Sequence, residues 1–276
     1  MGFRINTNLA SMAAQRNLVK SSRQVDSALT ALASGSRVSR VGDDAAGFAI
    51  SETLRAQLAS SKQAKFNAES AQSFVQAAEG GLNEQNNILI RLRELAVYAA
   101  SDTLGSEERE YLDTEFQQLT AEFDRIANST RFGNKALLTG TGEDFEFQVG
   151  AYPGQDNAIE FTLDADTTAS SIGISGLEVT DKSSARSALD DIDQAIYKIA
   201  GVRSTFGAFQ SRLQHTIDHL ASQNENIDRS RSQIADADIA EEVSKLATGR
   251  ILQEAGTSVL AQANFSTRQA LRLLES

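Results

Sequence analysis

Neither end of this chain can bury its own apolar stripe. Residues 1–60 and 185–276 read as amphipathic helices rich in small residues, and they enclose a short middle with strand and turn character. An amphipathic helix is held in water mainly by the packing of its apolar face, so each of these segments needs a partner. A chain built this way is expected to pair its termini and to assemble with copies of itself.

The periodicities locate the elements. Over residues 5–33, Leu18, Ser22, Val25, Leu29 and Leu32 follow the 4-3-4-3 spacing of a coiled-coil seam. Ser34-Gly35-Ser36 stops this helix. Asp43 or Asp44 then caps a second helix that runs to about Ala100, because a carboxylate accepts the free N–H groups of a first turn. Its stripe is Ala71, Val75, Ala78, Leu82, Gln85, Leu89, Leu92, Ala96 and Ala99. Gly80-Gly81 interrupts it at about 1 kcal/mol each relative to Ala. The period continues in phase, so this pair reads as close packing or a local bend. Ser106 caps a third helix with the seam Leu112, Phe116, Leu119, Phe123 and Ile126.

From Asp144 the period drops to two. Phe145, Phe147 and Val149 alternate with Glu146 and Gln148, Pro153-Gly154 and Asp156-Asn157 supply turns, and Ile159, Phe161 and Leu163 return. This predicts a hairpin. Residues 165–184, rich in Ser, Thr, Gly and Asp, read as loop with a short apolar contact at Ile172 and Ile174. A long helix over 186–235 follows, with ten of fourteen seam positions from Leu189 to Ile234 apolar. Its polar seam residues Arg203, Gln210, Asn224 and Arg231 are candidates for setting register. The phase slips at Asp236-Ala237-Asp238, and a last helix begins at Ile239.

The fold class expected is mainly α: an elongated antiparallel helical bundle or coiled coil with a small β-hairpin region. Composition agrees, since one Pro in 276 residues permits long uninterrupted helices, and 6% aromatic residues do not fill a thick globular core. A net charge of −11 without a basic stripe argues against nucleic acid. With no Cys there is no disulfide framework and no thiol chemistry. Residues 1–8 lack a charged region followed by an apolar run, so no Sec-type signal peptide is expected there. No run approaches 18 apolar residues, so no membrane insertion is expected.

No catalytic, cofactor or metal site is expected either. His215 and His219 stand one helical turn apart, but Thr216 follows the first where a zinc peptidase carries Glu, and no other His exists. Asp43-Asp44 and Asp236/Asp238 read as helix caps rather than acid/base pairs. The glycines match no phosphate loop.

At this point the residues carry a resemblance to bacterial flagellin, the subunit of the flagellar filament. Ile5-Asn6-Thr7-Asn8 with Ala14-Gln15 and Leu18 is similar to the family's opening. Leu32-Ala33-Ser34-Gly35-Ser36-Arg37-Val38 and Gly42-Asp43-Asp44-Ala45-Ala46-Gly47-Phe48-Ala49-Ile50-Ser51 resemble its most recognisable segment. Arg91 to Val97, Asp124 to Ala127, Phe147 to Ala151, Arg229 to Asp238 and Leu260 to Asn264 are similar to further landmarks. Phe48, where the family often has Leu, and the order Arg131-Phe132-Gly133-Asn134 are mild departures.

The resemblance implies the flagellin D0–D1 core: residues 1–44 as the N-terminal D0 helix and connector, 45–235 as the D1 bundle with a β-hairpin region at 141–184, and 236–276 as the C-terminal D0 helix. It implies a self-assembling, secreted subunit of an extracellular filament, without enzymatic activity and without outer domains. The inter-subunit core would include Leu9, Leu18, Val25, Leu29, Val243, Leu246, Val259, Leu271 and Leu274. Further implied partners are an export chaperone, the flagellar type III export apparatus, and hook-associated and cap proteins. The innate receptor TLR5 is implied too, at Arg91, Leu95 and Glu115. Three alternatives stand beside this reading: a hook–filament junction protein of the same terminal architecture, a secreted enzyme on a coiled-coil scaffold, and a soluble coiled-coil adaptor or chaperone.

Overall fold

A computed structural model describes residues 7–275, with side chains described as far as Phe265. Packing divides the chain into two compact units, one built from the chain up to Leu58 and from Asn226 onward, the other from Ala59–Glu225. The helices are α1 (Leu9–Ser34), α2 (Ala45–Ala99), α3 (Ser106–Ser129), α4 (Ala169–Ile172), α5 (Lys182–Ala235) and α6 (Ile239–Glu275). Among the described residues none is long and apolar enough to cross a membrane.

The unit Ala59–Glu225 is organised by the stripe expected on α2. All nine positions from Ala71 to Ala99 are fully buried. The antiparallel α5 lies beside α2, tied by Gln72 Nε2 donating to Gln214 Oε1 (3.2 Å) and by Arg93 Nε donating to Asp193 Oδ1 (2.7 Å). None of the fourteen seam positions on α5 is exposed. Phe116, Phe123 and Ala127 of α3 complete a three-helix core.

Gly81 explains why α2 runs through its glycine pair without stopping. A Cβ there would come within 2.6 Å of Thr130 Oγ1 and 2.8 Å of Leu138 Cδ1, so the chain leaving α3 crosses α2 at a point only glycine admits. Gly80 faces open space. The crossing chain forms a short hairpin of two-residue strands, β1 (Arg131–Phe132) with β2 (Lys135–Ala136), too short for any alternation to mark it in the residue pattern.

The larger hairpin has the expected alternation. β3 (Glu143–Gln148) pairs antiparallel with β4 (Ala158–Leu163), placing Phe145 opposite Phe161 and Phe147 opposite Ile159. Its aromatic face stacks on the helices: Phe145 and Phe147 meet Phe74 of α2, and Phe161 meets Phe206 and Phe209 of α5.

Residues 165–184 are irregular as expected, apart from the single turn of α4 and the first residues of α5, and their apolar contact extends beyond Ile172 and Ile174. Ala165, Thr167, Ala169, Ile172, Ile174 and Val179 are buried. The backbone of this segment is held by polar side chains of its neighbours. Asp124 accepts from Ala169 N (3.1 Å), Asp113 accepts from Val179 N (2.9 Å), and Gln117 donates to Leu177 O (2.8 Å). The buried Gln85 amide donates to Thr167 O (3.1 Å) and to Phe123 O (3.3 Å). Such partners are what a buried irregular segment requires.

The helix starts refine three expected caps. Asp44 caps α2 by accepting from Gly47 N (2.9 Å), and Asp238 caps α6 by accepting from Ala240 N (2.9 Å). For α3, Ser106 is the first helical residue rather than the cap, and the Glu108 carboxylate reaches back to the Gly105 amide.

Candidate assembly surface and the outer face of α2

In the terminal unit, α1 and α6 pair antiparallel along a seam of small residues. On α6, Gly249 and Gly256 stand seven apart and face Val25 and Leu18, which also stand seven apart on α1. A Cβ on Gly249 would lie 2.7 Å from Val25 Cγ2, and one on Gly256 would lie 3.2 Å from Leu18 Cδ1. The same register carries Asn8 Nδ2 onto Ala263 O (3.0 Å) and Ser11 Oγ onto Asn264 Oδ1 (3.0 Å). The buried row of α1 is Ala14, Ser21, Val25, Ala28 and Ala31.

This differs from the seam read from spacing. Leu29 is 42% exposed, while Ser21 and Ala28 are buried. Two helices that approach closely enough for a side chain to rest on glycine backbone leave room for small residues and exclude most large ones. The large apolar residues are displaced to the outside: Leu9, Met12 and Val19 of α1, and Ile251, Val259 and Phe265 of α6, are all more than half exposed. Val243, Ile239 and Leu252 face outward as well. A mostly small-residue interior (Ala14, Ser21, Ala28 and Ala31 against Gly249 and Gly256) beneath exposed Leu, Ile, Val, Met and Phe reverses the ordinary arrangement.

The residues expected to form the inter-subunit core therefore separate. Leu9, Leu29, Val243 and Val259 point outward. Leu18 and Leu246 are half-buried. Val25, at 7% exposed, packs within the α1–α6 pair. The backbone of α6 passes through Leu271 and Leu274, but their side chains lie outside the described residues, as do Ile5 and Asn6 of the opening motif. Met12, Val19, Ile251 and Leu252 were not among the expected residues. Their large apolar character on a second face of each helix was the available signal.

On α2, Arg91 is gripped by two carboxylates. Its Nε and Nη2 both donate to Glu115 Oε1 of α3 (2.9 and 2.8 Å), and its Nη1 donates to Glu94 Oε2 (3.1 Å). The Glu115 hydrogen bond, reinforced by Glu94, raises the guanidinium pKa further above its ordinary value. Leu95 does not join them. It is 2% exposed and belongs to the core, because it continues the buried side of α2 while Arg91 and Glu94 face solvent. Beside this cluster a shallow groove is lined by Ile90, Arg93, Glu94, Val97, Tyr98 and Ser101. Ile90 and Val97 stand seven apart, outside the buried stripe, which is how spacing could have located this face. His215 and His219 lie on the exposed side of α5.

Comparison with known proteins supplies the family. Residues 5–143 match the family described as the bacterial flagellin N-terminal helical region, and residues 189–274 match the bacterial flagellin C-terminal helical region. The chain is 40% identical over 270 residues to flagellin of Halalkalibacterium halodurans, covering 98% of this chain and 99% of the relative. It is 37% identical over 287 residues to flagellin FlaB2 of Treponema pallidum, again covering 98% and 99%. Among solved structures, that of Bacillus cereus flagellin aligns with a TM-score of 0.51 and 30% identity over 60% of this chain and 94% of that one. A flagellar hook-associated protein from Vibrio parahaemolyticus aligns with a TM-score of 0.59 over 70% and 100%, and at 13% identity it shares the fold alone.

Proposed function

This chain belongs to the bacterial flagellin family, and from that membership we infer that it is the structural subunit that self-assembles into the helical flagellar filament, an extracellular appendage used for swimming. The observation that carries the mechanism is the reversed polarity of the α1–α6 pair. Its small-residue seam holds the two helices together within a subunit, and its outward Leu, Val, Ile, Met and Phe residues supply the apolar contact between subunits. Repeated head-to-tail contacts of this kind generate an open helical polymer. Burying one large apolar side chain contributes about 1.5–3 kcal/mol, repeated at every subunit.

The finer reading follows the same membership. The protein acts by packing and carries out no reaction. It is exported unfolded through the flagellar type III apparatus, with a chaperone engaging the C-terminal apolar face before assembly. It meets hook-associated proteins at the base of the filament and a cap protein at the tip. The exposed Arg91–Glu115 pair with its neighbouring groove is the face that TLR5 would recognise on the monomer, and that assembly would cover. The division into a D0 part at 1–44 and 236–276 and a D1 part at 45–235 belongs to the same proposal.

Seeded growth tests the assembly reading. Purified protein incubated with short filament seeds is expected to elongate them into long uniform filaments in negative-stain electron microscopy. A variant with Leu9, Leu29, Val243 and Val259 all changed to Ser is expected to bind no seed. Wild-type monomers that decorate seed ends without elongating them would instead make this a junction protein, and no interaction with seeds would return the adaptor reading.

A further inference from the structure

The places where the long helices break lie against each other. α1 ends at Ser34 with Gly35 in the left-handed conformation (φ 68), and α5 ends at Ala235, just ahead of α6. Between the two breaks the backbones pair. Arg37 N donates to Ala235 O (2.7 Å), Ala237 N donates to Gly35 O (2.9 Å), and Ser36 forms an antiparallel bridge with Asp236. Side chains close the junction. The Ser36 hydroxyl donates to Ala235 O (2.9 Å), and Arg37 Nη2 donates to Ile234 O (2.6 Å). The same guanidinium lies 4.0 Å from Asp44, the residue that caps α2. One arginine thus touches the end of α5 and the start of α2 while its amide holds the bridge.

The two connectors are unequal. Only Asp236–Asp238 separate α5 from α6, whereas residues 35–44 separate α1 from α2, and within that longer stretch residues 39–43 are all exposed. A turn at the short connector must be absorbed by very few torsions, and the bridge transmits it to Ser36 and Arg37. The long connector has the slack to follow.

We propose that the two breaks form one coupled joint latched by Arg37, through which α1 and α6 turn together relative to the adjoining ends of α5 and α2. The seam makes such coupling necessary. Val25 and Leu18 rest on Gly249 and Gly256, so an independent tilt of either helix at its own break would lift those contacts and open the pair. A joint that moves both helices at once lets the apolar outer face change direction without exposing the seam. Hinges are commonly a few residues at element ends that absorb the change in φ and ψ.

Hydrogen exchange read by mass spectrometry on peptides covering 34–38 and 234–239 tests this in seeded filaments of the full-length protein. The wild type is compared with Arg37→Ala, Arg37→Lys and Arg40→Ala, the last removing a charge from the same connector without touching the bridge. Losing the charged hydrogen bond of Arg37 is expected to speed exchange by about tenfold at both breaks, including the α5–α6 break that carries no substitution. Arg37→Lys should fall between, and Arg40→Ala should match the wild type. Faster exchange at 34–38 alone, or at neither peptide, would show that the breaks move independently. If Arg37→Ala fails to elongate seeds, Arg37→Lys decides by the same criterion. Failure of the wild type to elongate would overturn the filament reading instead, and the joint would then be read from the same peptides in the unassembled chain.

Discussion

Val25 rests on Gly249 so closely that a Cβ on the glycine would lie 2.7 Å from Val25 Cγ2. The contact is van der Waals on both sides and leaves no space for an added methyl. Gly249→Ala is therefore expected to weaken the α1–α6 pair by about 1–3 kcal/mol, the range for overpacking a close-packed site. Val25→Ala in the same chain should restore part of the loss, because the two residues share one space. The midpoint of thermal depolymerisation of filaments reports both. Additive losses in the double variant would mean that the contact is not the cause.

Two neighbouring glycines should respond in opposite directions. Gly80 sits in the interior of α2 facing open space, so Gly80→Ala is expected to stabilise the unassembled chain by about 0.5–1 kcal/mol. Gly81→Ala drives its methyl into Thr130 and Leu138 and should destabilise. Urea midpoints of the two variants settle the matter, and equal shifts would refute the account of the α2 crossing.

Phe123 and Phe66 separate core from surface. Phe123 is fully buried beneath α2, and Phe123→Ala is expected to cost about 3–5 kcal/mol. Phe66 is 63% exposed, and Phe66→Ala should stay within about 0.5 kcal/mol. The same urea titration distinguishes them.

The proposed receptor face and the stability of α2 can be tested separately. Arg91→Ala and Glu115→Ala remove exposed groups and are expected to leave the urea midpoint almost unmoved while abolishing signalling in a receptor-reporter assay. Leu95→Ala removes a core side chain and should cost about 2–5 kcal/mol, so loss of signalling in that variant would report unfolding rather than contact. Unchanged signalling by Arg91→Ala would remove the proposed face.

Acid should weaken the unit Ala59–Glu225 through its depressed carboxyls. Hydrogen bonding by Lys182 lowers Asp102, hydrogen bonding by Arg93 lowers Asp193, and the Ser183 hydroxyl with the Ser184 amide lowers Asp181. A carboxyl lowered in the folded chain contributes stability that is present above its unfolded pKa, about 3.9 for Asp, and is lost as pH falls below it. The contribution from these groups is thus expected to be level from pH 7 to about 5 and to drop below about pH 4. Asp102→Asn/Asp193→Asn should flatten that drop. An unaltered acid limb would show that these pairs contribute nothing.

Much of this molecule is legible in the chain itself. The α2 stripe from Ala71 to Ala99, the α5 seam and the alternation of β3 with β4 all follow from the repeat of one element, because a helix or strand with a single apolar side has only one way to turn it inward. The loop over residues 165–184 is legible as well, but its depth of burial is not, because Ser, Thr and Gly report backbone freedom and not the Asp113, Gln117 and Asp124 side chains that another helix supplies to that backbone.

The terminal pair shows where the chain alone falls short. That residues 9–34 and 239–275 form helices needing partners is written in their period, and the family is written in their motifs. Each helix, however, carries apolar residues on more than one side, so periodicity cannot choose which side turns inward. Only the packed structure decides it. Gly249 and Gly256 draw α1 close, Val25 and Leu18 rest on them, small residues fill the rest of the seam, and Leu9, Leu29, Val243 and Val259 are left outside because few large side chains fit between backbones that near. Which residues of this pair face outward is thus fixed by a distance between two helices from opposite ends of the chain, a quantity that no local pattern contains.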